Sequence, residues 1–409
     1  MWTALLDQTL KHYFRDGTLH LTLPDGKVRT YGRGQPEIAV KIKDKNVIRR
    51  LVISPELAVG EAYMDGKAEI DDLRGFFKIG IPAIKSVEYH WSQRPFDWMK
   101  RVGKRLEQAN NLLRAKSNVS HHYDLSGALY DLFLDRDRQY SCAYWPSDDM
   151  TLDEAQDAKK HHIARKLRIE PGMTVLDIGC GWGGMALTLA RDYGAHVVGV
   201  TLSKEQHQVA VQRARDEGLA DRVDFRLMDY RNVTETFDRI VSVGMFEHVG
   251  QPHYREYFAK VKELLADDGL ALIHTIGHIG GPNYSDPWMS KYIFPGGYAP
   301  ALSEMHAPID DLRLVPQDIE VLRIHYAKTL GAWHDRFMAR ADEAEKLFDK
   351  RFVRMWRYYL LSMEASFAVG NLVVYQVQIG KQLAAAPITR DYLYDGDEKK
   401  HLDFAAAAE

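Results

Sequence analysis

Val175-Leu176-Asp177-Ile178-Gly179-Cys180-Gly181-Trp182-Gly183-Gly184 is the stretch on which the fold turns. Its first four residues read as a buried strand. The alternating glycines read as a tight turn with a helix starting behind it. Glycine has no Cβ, so the chain can bend sharply there and its N–H groups can approach a ligand closely. That arrangement suits a nucleotide-like ligand at the carboxyl end of a parallel sheet. Asp177 narrows the ligand class. A carboxylate beside the turn repels pyrophosphate and accepts from a cationic amine instead. S-adenosylmethionine (AdoMet) carries such an amine near its sulfonium. A methyltransferase therefore leads over an NAD(P)-dependent dehydrogenase.

The flanking sequence repeats the strand–helix alternation. A helical pattern over 151–167 runs into Glu170-Pro171-Gly172, a turn before the first strand. Further strands are expected over 197–200, 223–227, 237–243 and 270–276. Strands alternating with helices imply a doubly wound α/β sheet. On such a sheet Gly179, Gly181 and Gly183 would serve the amino-acid half of the cofactor. Thr201 and Gln206, at the end of the second strand, are the candidate ribose contacts. Asp229 and Tyr230, after the third, are candidates for the adenine amine and ring. Residues 280–325 are rich in Gly, Pro and aromatics and are expected to cover a substrate pocket. Helical periodicity returns over 333–380.

Ahead of this domain, residues 1–95 read as a smaller α+β unit with strands over 19–23, 38–42 and 47–53. Residues 96–120 read as a basic amphipathic linker helix. Phe96, Met99, Val102, Leu106, Ala109 and Leu113 recur at three- and four-residue intervals, flanked by Lys100, Arg101, Lys104 and Arg105. The catalytic domain then spans 121–384 and a C-terminal tail 385–409. The 409-residue chain has a net charge of −3, unevenly spread. Residues 1–120 hold 21 Lys/Arg against 14 Asp/Glu, a local +7. An anionic membrane is a natural partner for that surface. No helix-turn-helix, RRM or finger pattern accompanies it, so no nucleic-acid partner is expected. The only cysteines are Cys142 and Cys180, which argues against a disulfide scaffold or a Cys-rich zinc site, and no metal is expected. No signal peptide or ~18-residue apolar span is evident, so a cytoplasmic protein is expected.

Several runs together resemble the cyclopropane-fatty-acyl-phospholipid synthase family, including its mycolic-acid relatives. They are His121-His122-Tyr123-Asp124-Leu125-Ser126, Tyr140-Ser141-Cys142-Ala143-Tyr144-Trp145, the 175–184 stretch, Gly199-Val200-Thr201-Leu202-Ser203, residues 237–250 and His274-Thr275-Ile276-Gly277. The resemblance implies a class I AdoMet-dependent methyltransferase fold. It implies methyl transfer to a cis alkene in a phospholipid acyl chain, followed by deprotonation and ring closure. It places Tyr140 and Ser141 near the cofactor. It implies bicarbonate as the bound base, held by Cys142, Glu247, His274 and Tyr326 with a backbone contact at Ile276. Direct base catalysis by Glu247 or His274 is the rival mechanism. It also implies a homodimer peripheral to the inner membrane. Met363 stands where some relatives carry cysteine, and Trp288, Tyr292 and Phe294 are candidates for lining an acyl path. Three alternatives stay open. One is a family enzyme that stops at a methylene or methyl-branched product. Another is methylation of a small molecule or polyketide. The third is a catalytically silent lipid-binding protein.

Overall fold

The computed structural model describes residues 1–86, 127–282 and 286–394. The expected helix over 96–120, the His121–Ser126 run and residues 395–409 lie outside the described residues. The N-terminal unit contains α1 (Trp2–Tyr13), β1 (Asp16–Thr22), β2 (Val28–Ile42), α2 (Lys45–Ile53), α3 (Pro55–Met64), β3 (Ala68–Ile70) and α4 (Leu73–Ser86). β2 is long enough to pair with β1 along both its edges: Leu19 is matched by Tyr31 and by Ile38. The reversal falls around Gly32 and Gly34, both at positive φ. The strand expected over 47–53 is the helix α2 instead. Val47, Ile48, Leu51 and Val52 fall on one helical face, and the Asp44 side chain caps the helix by accepting from the Asn46 N–H. The β-branched residues suggested a strand, but adjacent Arg49 and Arg50 break its alternation.

The larger unit is a seven-stranded sheet built from β4 (Thr174–Ile178), β5 (His196–Thr201), β6 (Val223–Leu227), β7 (Phe237–Val243), β8 (Leu265–His278), β9 (Val315–Leu322) and β10 (Leu372–Gly380). Their spatial order is β6-β5-β4-β7-β8-β10-β9. The first five are parallel, whereas β10 runs antiparallel between β8 and β9. Chain order reverses at β4, so the crevice outside its carboxyl end is the binding position of the sheet. α5 (Leu152–Lys166) precedes β4 and opens with a capping box between Thr151 and Glu154. α6 (Gly184–Tyr193) follows the glycine turn, and α7 (Lys204–Asp216) follows β5.

Two sequence expectations fail in the last third. The helical reading of 333–380 holds for α8 (His325–Ala339) and α9 (Lys350–Ala368), but 372–380 is the strand β10. Within 367–376 only Phe367 and Ala368 are helical, and residues 372–376 belong to β10. β10 is buried on both faces, so it carries no alternation to distinguish it from a buried helix. The tail also begins later than expected, because Leu393 is buried and Arg390 pairs with Asp318.

The two units are locked together by polar and aromatic contacts. Glu61 of α3 accepts from Lys291 Nζ and Tyr292 Oη, both at 2.7 Å, and also pairs with Arg50. Arg74 donates to Glu364 of α9 at 3.0 Å and to Asp335 of α8 at 3.1 Å. Phe77 meets Tyr358 edge-on at 5.0 Å. Trp288, 1% exposed, lies directly over Gly60, where a Cβ would collide with its indole. Among the described residues, no helix is long and apolar enough to cross a membrane.

Candidate active site

The glycine turn is tied to the neighbouring strand: Gly179 N–H and Cys180 N–H both donate to the Val200 carbonyl, at 2.9 and 3.1 Å. The three glycines have different reasons to be there. Gly181 has φ +55°, and a Cβ on it would enter open space within the pocket. Gly183 has φ +87°, and a Cβ would strike the Phe225 ring at 2.6 Å. It does not line the pocket. Its expected ligand role is corrected to close packing of turn on strand. Gly179 lines the pocket with its Cβ direction blocked by Met245.

Around Gly181 lies a pocket of about 160 Å³. Asp177 lines it from the end of β4, 2% exposed, and its Oδ2 is sealed with no hydrogen-bond partner. Burial pushes this carboxyl up to about 7, against the opposing pull of Lys159. An orphaned buried acceptor suits an incoming ammonium. Thr201 and Gln206 also line the pocket, with Thr201 Oγ1 donating to Gln206 Oε1 at 3.1 Å. Asp229 is present but already held: Arg231 donates to both its oxygens, at 2.8 and 2.7 Å. The Tyr230 ring lies 5.6 Å from the same guanidinium and edge-on to Tyr257. These groups can wall an adenine ring, with less freedom than an unpaired Asp and an open ring. Tyr140 and Ser141 complete the wall, and Tyr140 Oη is 3.0 Å from Tyr359 Oη.

A second cavity of about 1390 Å³ meets this pocket at Tyr140, Ser141, Gly244 and His248. Cys142, Glu247, His274, Ile276 and Tyr326 all line it, although four separate segments contribute them, His274 and Ile276 both lying on β8. Glu247 Oε1 accepts from the Ile276 N–H at 2.6 Å, while Oε2 is sealed and has no hydrogen-bond partner. Burial pushes this carboxyl up to about 7. The Ile276 N–H is thus spent on Glu247, which corrects its expected contact with an anion. His274 is 2% exposed and burial holds its imidazole neutral, well below the usual histidine range. Its Nδ1 is 3.1 Å from Gln376 Nε2 across the β8–β10 pair. With the amide nitrogen so assigned, Nδ1 accepts and Nε2 carries the proton, making His274 a donor rather than a base. Burial pushes the Cys142 thiol far up, and its Sγ donates to the Ala143 carbonyl at 3.3 Å, so it is no thiolate ligand. The Tyr326 ring packs 4.7 Å from Phe367 and 5.8 Å, edge-on, from Trp333.

From there the cavity passes Met363, Trp288 and Phe294 and reaches Leu6, Leu19 and Phe77 of the N-terminal unit. Tyr292 does not line it; its hydroxyl serves Glu61 instead. Three residues at the site escaped the sequence reading: His248, Gln376 and Lys159. Lys159 carried a legible signal, since it shares helical spacing with buried Ala155 and Ile163 and is itself 0% exposed. Gln376, inside an apolar strand, carried one only if that strand was recognised.

The doubly wound sheet, the glycine turn at its switch point and the orphaned Asp177 define a class I AdoMet-dependent methyltransferase. The family model described as mycolic acid cyclopropane synthetase matches residues 110–377, and a family described only as a domain of unknown function matches residues 5–74. The chain belongs to the cyclopropane-fatty-acyl-phospholipid and mycolic-acid synthase family. It is 40% identical over 346 residues to the cyclopropane-fatty-acyl-phospholipid synthase of Escherichia coli, covering 84% of this chain and 88% of that one. A probable fatty acid methyltransferase of Pseudomonas putida is 35% identical over 388 residues, covering 92% and 96%. The solved cyclopropane synthase MmaA2 of Mycobacterium tuberculosis superposes with a TM-score of 0.61 at 34% identity, covering 64% of this chain and 97% of that one.

Proposed function

We propose that the chain methylates the cis double bond of an unsaturated phospholipid acyl chain and then closes a cyclopropane ring. The observation that carries this reading is the long cavity, which starts at the cofactor pocket and ends among apolar side chains of the N-terminal unit. A methyl acceptor of a small polar kind needs no such length. The N-terminal unit then serves to seat or present the lipid. Peripheral binding to an anionic inner-membrane surface, and a homodimeric state, belong to the same proposal.

Bound AdoMet supplies an electrophilic methyl, and Asp177, Gly181, Thr201 and Gln206 are the residues that fit it. An isolated alkene is a weak nucleophile, so the cavity must bring it close to the Tyr140–Ser141 junction and keep water out. Methyl transfer leaves positive charge on the old double bond. The ring faces of Tyr140 and Tyr326 stabilise that charge without trapping it as an alcohol. One proton must then leave the new methyl. We assign bicarbonate as the base, with Glu247 Oε2 accepting its O–H, and His274 Nε2–H and Tyr326 Oη–H as donors to it. The donor set fits a small anion, although neither the Ile276 N–H nor the Cys142 thiol points to it as expected. A second reading is favoured by one observation: Glu247 has a free buried oxygen and a carboxyl raised to about 7, so it is itself a competent base.

The test incubates the purified protein with AdoMet and vesicles of cis-unsaturated phosphatidylglycerol, followed by proton NMR of the released fatty acids. High-field ring protons are expected. Vinyl protons would mark a methylene product of the same elemental formula, and a new methyl doublet a branched one. Either outcome replaces the ring-closing reading.

A further inference from the structure

We propose that Lys159 is a positioning residue for the cofactor: by donating to Ser141 Oγ it turns that hydroxyl's own proton into the AdoMet pocket, as a donor to the ligand's α-carboxylate. The proposal rests on the AdoMet-methyltransferase reading and goes beyond it. Lys159 lies on α5 and is 0% exposed. Its Nζ is 2.8 Å from Ser141 Oγ and 2.6 Å from Gln139 Oε1. An ammonium has donors and no acceptor, so both oxygens must accept from it. Ser141 Oγ, having accepted from Lys159, can only direct its own O–H elsewhere. Ser141 lines both cavities at their junction.

The rest of Ser141 is already held. Gln156, one turn earlier on α5, donates to the Gln139 and Ser141 carbonyls at 3.1 and 2.9 Å. The helix thus grips the backbone through Gln156 and sets the hydroxyl through Lys159. Gln139 is oriented in the same way, since its Oε1 faces Lys159 and its Nε2 donates to Asp137 Oδ2 at 3.0 Å.

A buried ammonium costs several kcal/mol unless its charge is compensated, and a methionine would fill similar volume without that cost. Burial pulls Lys159 down to about 8, with the carboxylates of Asp135 and Asp137 and the Cys142 thiol opposing that fall and Lys160 adding to it. Lys160 and Arg213 in turn pair with Asp137. The ammonium therefore persists at neutral pH. Its field reaches Asp177, whose carboxyl it draws down toward ionisation. An ionised Asp177 accepts from an α-amine and an oriented Ser141 donates to an α-carboxylate. Together they match the zwitterionic end of the ligand, and Lys159 acts on both.

The experiment titrates wild type, Lys159→Met, Ser141→Ala and the double variant with AdoMet and with decarboxylated AdoMet, which keeps the sulfonium and amine but lacks the carboxylate. Each single variant is expected to weaken AdoMet about 10-fold, and the double variant no more than about twofold further, because the two residues act through one hydrogen bond. Decarboxylated AdoMet should bind wild type and Ser141→Ala within about a few-fold of each other, whereas Lys159→Met, which also frees Asp177 from the ammonium's pull, should lose less affinity for it than for AdoMet. In turnover, the KM for AdoMet should rise with kcat little changed. Equal losses for both ligands in Lys159→Met would make the lysine merely structural and overturn the proposal. So would wild-type AdoMet affinity in folded Ser141→Ala, a variant that decides the hydroxyl's role even if Lys159→Met does not fold. Failure of the wild type to bind AdoMet would instead overturn the methyltransferase reading beneath it.

Discussion

Replacing Glu247 by Gln isolates one oxygen. The amide can keep Oε1 on the Ile276 N–H, where the carboxylate accepts at 2.6 Å, so the anchor to β8 survives. What changes is the second position, where a sealed acceptor without a partner becomes an NH2 donor. The cost in stability is that of one unsatisfied buried polar group, about 1–3 kcal/mol, and the wild type already carries such a group there. The cost in rate is larger. A positioned base or its orienting partner contributes roughly 10²- to 10⁴-fold, so single-turnover product formation should fall by that range while AdoMet affinity changes little. The carboxyl is raised to about 7, hence protonated and inactive below that pH. Wild-type turnover should rise as pH climbs through about 7, and the variant should lose that limb. The assay is rapid-quench transfer from methyl-labelled AdoMet to lipid vesicles, because slow lipid exchange masks a damaged chemical step in steady state. Carbon dioxide depletion should slow the wild type, and bicarbonate at fixed pH should restore it. Slowing by Glu247→Gln without bicarbonate dependence would select Glu247 as the direct base. Full single-turnover activity in Glu247→Gln would refute the assignment in either form.

Gly181→Val should lower AdoMet affinity more than about 10-fold, since the side chain fills open pocket space from a backbone at φ +55° that disfavours β-branched residues; unchanged calorimetric affinity would remove the turn from the binding site. AdoMet affinity should rise about tenfold per pH unit up to about 7, where Asp177 becomes an anion, and decline again as the ligand's amine loses its proton near ~8; Asp177→Asn should flatten the acidic limb. Gly60→Val should push Trp288 from the cavity wall and destabilise the domain contact by about 1–3 kcal/mol, seen as a lower Tm together with slower lipid turnover. Lys100→Glu, Arg101→Glu and Lys104→Glu together should weaken association with anionic vesicles, at about 1 kcal/mol for each basic residue removed from the surface, and leave AdoMet binding intact. Undiminished sedimentation with vesicles would exclude that segment as the membrane contact.

The sequence by itself determined the five parallel strands of the sheet and its ligand class, but not β9 or β10. Strand signals at 175–178, 197–200, 223–227, 237–243 and 270–276 are local, because apolar runs of four to seven residues between turns need no tertiary information. The cofactor turn is equally local, with Asp177 and the glycines contiguous in the chain. Wherever two local signals competed, the environment decided. Residues 47–53 are β-branched yet helical, because one face packs into the N-terminal core. β10 has no periodicity, because both its faces are buried. The chemistry of the site was decided only by folding. Cys142, Glu247, His274 and Tyr326 come from segments far apart in the chain, and family resemblance could name them without fixing their partners. Glu247 is bound by the Ile276 N–H, His274 faces Gln376, and Asp229 is already taken by Arg231. Lys159 gains its meaning from the same source. A lysine on a helix is ordinarily solvated, and only the packing of α5 against the 139–141 segment strips its water and aims its charge at the cofactor pocket.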